Sequence, residues 1–391
     1  MANQITLAST AGDGAVGMRA VSVLTIVALA ACGKQDSTSE RNCDCAPAIG
    51  ARWVGPGSAA AGSFGGDSTW TIYERLDGGI DLPPEPRLST NGPAASETSI
   101  VPMRVSEADL SPGCSTQSLK TIYGADSRFP VECFLDERVR RQADAVAVLV
   151  AATDLRPAVK GFQTVAHKQT LAQRFDLCPH PKQRFADDLS LGFCTAFLVG
   201  DELLATSEHC FEHIRPEDTR AIFVHASPNQ GLERDALVAT EDVYELEGPR
   251  FDDDHDLVVA QLKPSVGAKV GRTHLDVEEA VDGLSETDSV YVIGHPSGLP
   301  KIGVTAIRVR SVNELAGVAD LDTFAGNSGS PVFSVRTGRV VGVLRSGACD
   351  YVPCKDSSMG CRVPYRCKPD ECSGESFVRS QWLYKLSKGI Q

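Results

Sequence analysis

Gly326-Asn327-Ser328-Gly329-Ser330-Pro331 sets a serine between two glycines, after a polar loop and ahead of an apolar strand pattern. At average residue frequencies this hexapeptide arises by chance roughly once in 10^7 positions. Its small residues permit a tight loop in which the backbone N–H groups of Gly326 and Ser328 converge on one point, where a carbonyl oxygen becomes an oxyanion. Ser328 would be a nucleophile beside its own oxyanion hole. A serine hydroxyl attacks poorly without a base in hydrogen-bond reach. Of the eight histidines, His209 stands out, in Leu204-Ala205-Thr206-Ser207-Glu208-His209-Cys210. Cys210 lies sixteen residues after Cys194, and a disulfide between them would clamp the loop bearing the base. The third requirement is a buried acid that accepts from the imidazole Nδ1–H. Asp252, Asp253, Asp254 and Asp256 precede the run Leu257-Val258-Val259-Ala260-Gln261-Leu262. The first three read as a solvated loop, whereas Asp256 adjoins the strand and can turn inward. His255 competes as base, but it shares the acid's own backbone segment. Together Ser328, His209 and Asp256 would carry out nucleophilic attack on a carbonyl.

Such residues need a rigid frame. Ala145 to Val150 is a compact apolar run; Phe193 to Val199 and Leu203 to Thr206 flank the turn Gly200-Asp201 as a hairpin. Ala221 to Val224, Leu257 to Ala260, Val290 to Ile293 and Arg339 to Leu344 continue a series of short strands split by Gly/Pro/Asp-rich turns. Helices are expected only at Asp136 to Asp144 and Phe377 to Ser387. The domain is therefore mainly β, a sandwich or a barrel, and periodicity alone does not choose.

The 391 residues carry a formal charge of -13, which argues against nucleic acid as a partner because phosphate binding needs a positive field. From Met18, Met-Arg is followed by an uncharged stretch, Ala20 to Ala31, that at twelve residues is too short to span a bilayer. Residues 1–31 read as a secretory signal, with Met18 as an alternative start. Leu29-Ala30-Ala31-Cys32 resembles a bacterial lipobox, which implies lipidation at Cys32 and a place in the cell envelope, periplasm or outer membrane, or secretion. Lipid at Cys32 is the only membrane contact expected. Residues 32–118, rich in Gly, Ser, Ala, Pro and Thr, read as a flexible tether, and 119–391 as the folded domain. Of thirteen cysteines, twelve remain beyond Cys32, enough for six disulfides. Cys349 to Cys372 holds five and reads as a disulfide-stapled loop with a partner elsewhere, Cys133 or Cys178. No C-x-x-C pair occurs, no metal site is assigned, and no cofactor is expected.

Thr206-Ser207-Glu208-His209-Cys210, His255-Asp256-Leu257-Val258-Val259-Ala260 and Gly326-Asn327-Ser328-Gly329-Ser330-Pro331, in that order, resemble the three motifs of trypsin-like serine peptidases. With Val292-Ile293-Gly294-His295-Pro296 upstream, the form is similar to the bacterial glutamyl-endopeptidase-like branch. The resemblance covers about residues 120–350. It implies two six-stranded antiparallel β-barrels with the triad between them, and a serine endopeptidase acting on protein or peptide substrates through an acyl-enzyme. It also places Asp322, Arg345, Ser346 and Gly347 at the substrate: Asp322 would favour basic side chains or else be structural, Arg345 would favour acidic ones, and Ser346 and Gly347 would bind the substrate backbone. The sequence departs from the pattern at Asn327, where trypsin carries an aspartate, and at Leu344, where glutamyl endopeptidases place a histidine. Two alternatives stand beside the peptidase: a dormant binding lipoprotein on the same fold, and an esterase using the same triad.

Overall fold

The computed structural model describes residues 101–389, apart from several short segments of which 224–236 is the longest. The expected signal, Cys32, Cys43, Cys45 and most of the expected tether lie outside the described residues.

Asp136 caps helix α1 (Glu137–Asp144) by accepting from the Arg138 N–H, which satisfies one of the unpaired amides of the first turn. The chain then enters the first barrel. Its strands are β1 (Val146–Ala151), β2 (Cys194–Leu198), β3 (Leu203–Thr206), β4 (Thr219–Ile222), β5 (Val243–Asp252) and β6 (Leu257–Pro264). They close in the order β5-β6-β3-β2-β1-β4, all pairs antiparallel, with β4 returning to β5. The unbroken apolar run of β1 follows from burial on both faces. Ala147 and Leu149 point into the main core, whereas Val148 and Val150 pack outside it with Ile222, Val238 and Val243. A small three-stranded sheet (Leu155–Pro157, Phe162–Val165 and Leu237–Ala239) contributes that outer cover.

The second barrel contains β7 (Ser289–Gly294), β8 (Ile302–Val312), β9 (Ala316–Ala319), β10 (Pro331–Ser334), β11 (Val340–Ser346) and β12 (Glu375–Arg379). Their order is β7-β10-β11-β12-β9-β8, and pairing of β7 with β8 closes the ring. The short strand Arg128–Pro130 adds to the outside of β8. Val290, Val292, Val304, Val332, Val341 and Phe377 fill the interior, one from each pleat that faces inward. The architecture is all-β, two six-stranded antiparallel barrels.

Three expectations need correction. The expected helix at Phe377 starts later: Glu375–Arg379 is a barrel strand, and α3 is Ser380–Lys388. A short helix, α2 (Leu171–Phe175), was not expected and is capped by Thr170 with Gln173. The folded domain also begins before residue 119. Met103 and Val105 are buried in the core, and Met103 N–H donates to Val335 O at 2.7 Å. Two apolar side chains one residue apart let an otherwise polar stretch lie against a barrel as an extended segment.

Disulfides join Cys114–Cys133, Cys178–Cys361, Cys194–Cys210 and Cys367–Cys372; Cys349 is also disulfide-bonded, and Cys354 is a free thiol. Of the two partners considered for the C-terminal loop, Cys178 is the one used, and Cys133 is taken by Cys114.

Candidate active site

The β5–β6 hairpin ends in a tight turn over Asp253 to Asp256, in which Asp256 takes a left-handed conformation (φ 55°). Aspartate tolerates that region better than most residues. The turn aims a buried carboxylate at the loop after β3. There, Glu208–Phe211 forms one turn of 3-10 helix, and the Cys194–Cys210 disulfide fastens it to β2. Asp256 Oδ2 lies 2.8 Å from His209 Nδ1, and Oδ1 accepts the His209 backbone N–H at 2.9 Å. The Glu208 N–H donates to the Asp256 carbonyl at 3.2 Å. Acid and imidazole are thus fixed by side-chain and backbone contacts together. His255 is turned to another task. Its Nδ1 lies 2.8 Å from Asp252 Oδ1, and its ring stacks on Trp382 of α3 at 4.0 Å.

The Ser328 loop packs directly on these elements. Gly326 (φ 97°) and Gly329 (φ 83°) bend it through conformations that side chains avoid. A Cβ on Gly329 would lie 2.1 Å from Thr206 Oγ1 and 2.3 Å from Thr195 O, so the backbone is seated against β2 and β3. Amides in the loop divide into two groups. Those of Asn327, Gly329 and Ser330 donate to Phe324 O, Leu344 O and Asn327 O. Those of Gly326 and Ser328 have no acceptor among the described residues.

Thr195, which sequence reasoning missed, joins the two halves. Its N–H donates to Ser328 O at 2.9 Å, its Oγ1 donates to Gly326 O at 2.7 Å, and that Oγ1 accepts from the His295 N–H at 3.0 Å. Its carbonyl accepts from Thr206 Oγ1 at 2.7 Å. The one available signal was a polar residue following Cys194 inside an otherwise apolar strand.

The four expected substrate contacts separate. Ser346 and Gly347 are exposed at the end of β11. Arg345, also exposed, brings its guanidinium Nε to 3.5 Å from Asp256 Oδ2. Asp322 takes the second of its two readings, a structural one: it is 1% exposed, and its carboxylate accepts from Ser127 N–H and Oγ and from Tyr123 N–H. Burial pushes its carboxyl up, against those hydrogen bonds and the Arg128 charge. The extended segment 123–128, which runs across the second barrel, has taken both oxygens, so Asp322 is not presented as a free charge.

Beside it lie two further acids, Glu375, which is buried, and Asp350, which is half-buried. Burial pushes Glu375 up to about 8 and Asp350 up to about 7. Glu375 accepts from Tyr123 Oη, Ala348 N–H and Thr323 Oγ1, and Asp350 accepts from Ala325 N–H. At the rim, burial raises the Glu208 carboxyl, helped by the charges of Asp253, Asp256 and Glu212. Among the described residues no group of three His, Cys, Asp or Glu side chains is placed to hold a metal ion.

The fold is two barrels, with a His–Asp pair on the first and a glycine-bounded serine loop packed against the strands that carry the pair. Residues 194–343 match the family model of the trypsin-like peptidase domain, a span that contains β2 through most of β11 together with His209, Asp256 and Ser328. Among solved structures, the chain is similar to human heparin binding protein at 12% identity and a TM-score of 0.40, covering 64% of this chain and 92% of that one. It is also similar to a Glu endopeptidase at 13% identity and a TM-score of 0.37, covering 67% and 95%. No curated protein matches it.

Proposed function

We propose that this chain is a serine endopeptidase that hydrolyses peptide bonds through an acyl-enzyme on Ser328. The observation that carries the reading is that the amides of Gly326 and Ser328 have no acceptor among the described residues, in a loop seated against the elements that hold His209 to Asp256. Asp256 accepts from Nδ1–H, which leaves Nε2 as the acceptor. Oγ of Ser328 attacks the carbonyl carbon and its proton passes to His209 Nε2. The negative oxygen that forms would be met by the amides of Gly326 and Ser328. Collapse breaks the C–N bond, the proton moves from Nε2 to the leaving amine, and water then releases the acid by the same route. Ser346 and Gly347 would bind the extended substrate backbone along the end of β11.

Digestion of a mixed peptide library by the oxidised full chain, with Ser328→Ala in parallel, tests this. Cleavage by the unsubstituted chain only is expected, with activity rising across the range in which an imidazole loses its proton, about pH 6 to 7.5. Cleavage of esters without peptides would assign the esterase instead. No turnover and no labelling of Ser328 by a fluorophosphonate would leave a binding protein. Export with lipid on Cys32 is the accompanying proposal, supported by the Leu29-Ala30-Ala31-Cys32 sequence. Mass spectrometry of the mature N-terminus tests it, and an unmodified chain would overturn it.

A further inference from the structure

Arg345 occupies an unusual place in β11. Pairing of β11 with β12 shifts register between Leu344 and Ser346, so Arg345 sits at a β-bulge. The strand is buried through Leu344, and then Arg345 and Ser346 are exposed in succession, which breaks the alternation of a pleat. Bulges re-aim side chains, commonly beside active sites. Here the effect is to bring Nε of Arg345 within 3.5 Å of Asp256 Oδ2, the oxygen that also lies 2.8 Å from His209 Nδ1. The strand around it is firmly held, because Leu344 O accepts from both Gly329 N–H and Ser207 Oγ.

We propose that Arg345 is a positioning residue that acts as a second cation on the acid of the triad, restraining the affinity of His209 for its proton. The inference rests on the peptidase reading above. A carboxylate beside an imidazole favours the protonated ring, and a guanidinium on the same oxygen offsets that attraction. The surroundings make the offset matter. Glu208 and Glu212 flank His209 on its own loop, and Asp253 adds a further negative charge from the turn that carries Asp256. Asp252, at the end of β5, is engaged by His255. Arg345, from β11, opposes these charges on the side of the second barrel. Its side chain is 44% exposed, so water and salt screen the interaction and the effect is moderate. On this account the arginine keeps the base available for attack at lower pH, and it does not serve to select acidic substrate side chains.

The test follows the His209 ring by NMR during a pH titration of the full chain, which requires no turnover. In R345Q the midpoint is expected to rise by about half a pH unit, with the acid limb of kcat/KM moving alongside it. R345K, which keeps the charge, should hold the midpoint of the unsubstituted chain. The difference between R345Q and the unsubstituted chain should shrink between roughly 0.05 M and 0.5 M salt. R345M gives the same comparison should the glutamine variant fold poorly. A midpoint unmoved in R345Q and R345M overturns the proposal. So does an unmoved midpoint with a KM increase confined to peptides with acidic side chains, which would make Arg345 a reader of substrate. Absence of turnover in the unsubstituted chain would remove the peptidase reading and leave the titration to be read.

Discussion

Thr195 uses its N–H, its hydroxyl and its carbonyl at one buried junction between the Ser328 loop, His295 and Thr206. Thr195→Val keeps the shape of the side chain and removes only the hydroxyl. Gly326 O and the His295 N–H then lose their partner where water does not reach. The cost should be about 2–4 kcal/mol, read by urea unfolding. Because Gly326 supplies one of the two amides proposed to meet the oxyanion, kcat should fall further than stability alone accounts for. A different pH dependence comes from Glu375 and Asp350. Burial raises both carboxyls, so the folded chain retains protons that the unfolded chain releases above about pH 4. Their contribution to stability is therefore present at low pH and is lost as pH rises through about 7 and 8. Glu375→Gln is neutral at every pH. Its unfolding free energy should decline less between pH 5 and pH 8 than that of the unsubstituted chain, by on the order of 2 kcal/mol. Equal slopes would show that Glu375 is ionised in the fold.

Among the elements, the loop after β3 depends most on a covalent restraint. The Cys194–Cys210 bridge closes a loop of sixteen residues around the hairpin that delivers His209. Replacing both cysteines by alanine should lower stability by about 3 kcal/mol in thermal or urea unfolding. That bridge was readable in the sequence because its partners flank a hairpin and sit close together. The three peptide motifs of the proposed site were readable for the same reason, since each is a short local run. Strands covered on both faces, such as β1, announced themselves as apolar runs. Ile302–Val312 did not, because arginines at 308 and 310 interrupt its pattern on the exposed side. Glu375–Arg379 was absorbed into the amphipathic stretch of α3, where five residues carry too little pattern to oppose a helix. Partners distant in the chain left no trace. Thr195 meets Gly326 across 131 residues, and Tyr123 meets Glu375 across 252. Spacing alone cannot reveal that Asp322 is closed off by Ser127.

At the scale of the molecule, His209 and Asp256 come from one barrel and Ser328 from the other, so the proposed site depends on how the barrels are held together. Besides Thr195, α3 provides such a tie: Trp382 stacks on His255 in the turn that carries Asp256, and Lys385 Nζ lies 4.3 Å from the Trp382 ring. Trp382→Ala should cost about 1–2 kcal/mol through the lost stack. It should also lower kcat with little change in KM, since the proposed substrate contacts, Ser346 and Gly347, are untouched; a change in KM alone would count against this tie. The division between barrels has a further consequence for how the protein comes into being. Synthesis is vectorial, so His209 and Asp256 emerge and can pair while Ser328 is still being added, several seconds later at ordinary rates of translation. Even then the second barrel lacks its last strand, Glu375–Arg379, which must join β9 to β11 before the ring can close. A chain interrupted before Glu375 contains all three reactive residues and no complete second barrel to position the serine. On the proposed peptidase reading, competence would arrive at the end of translation, and incomplete copies would remain chemically silent.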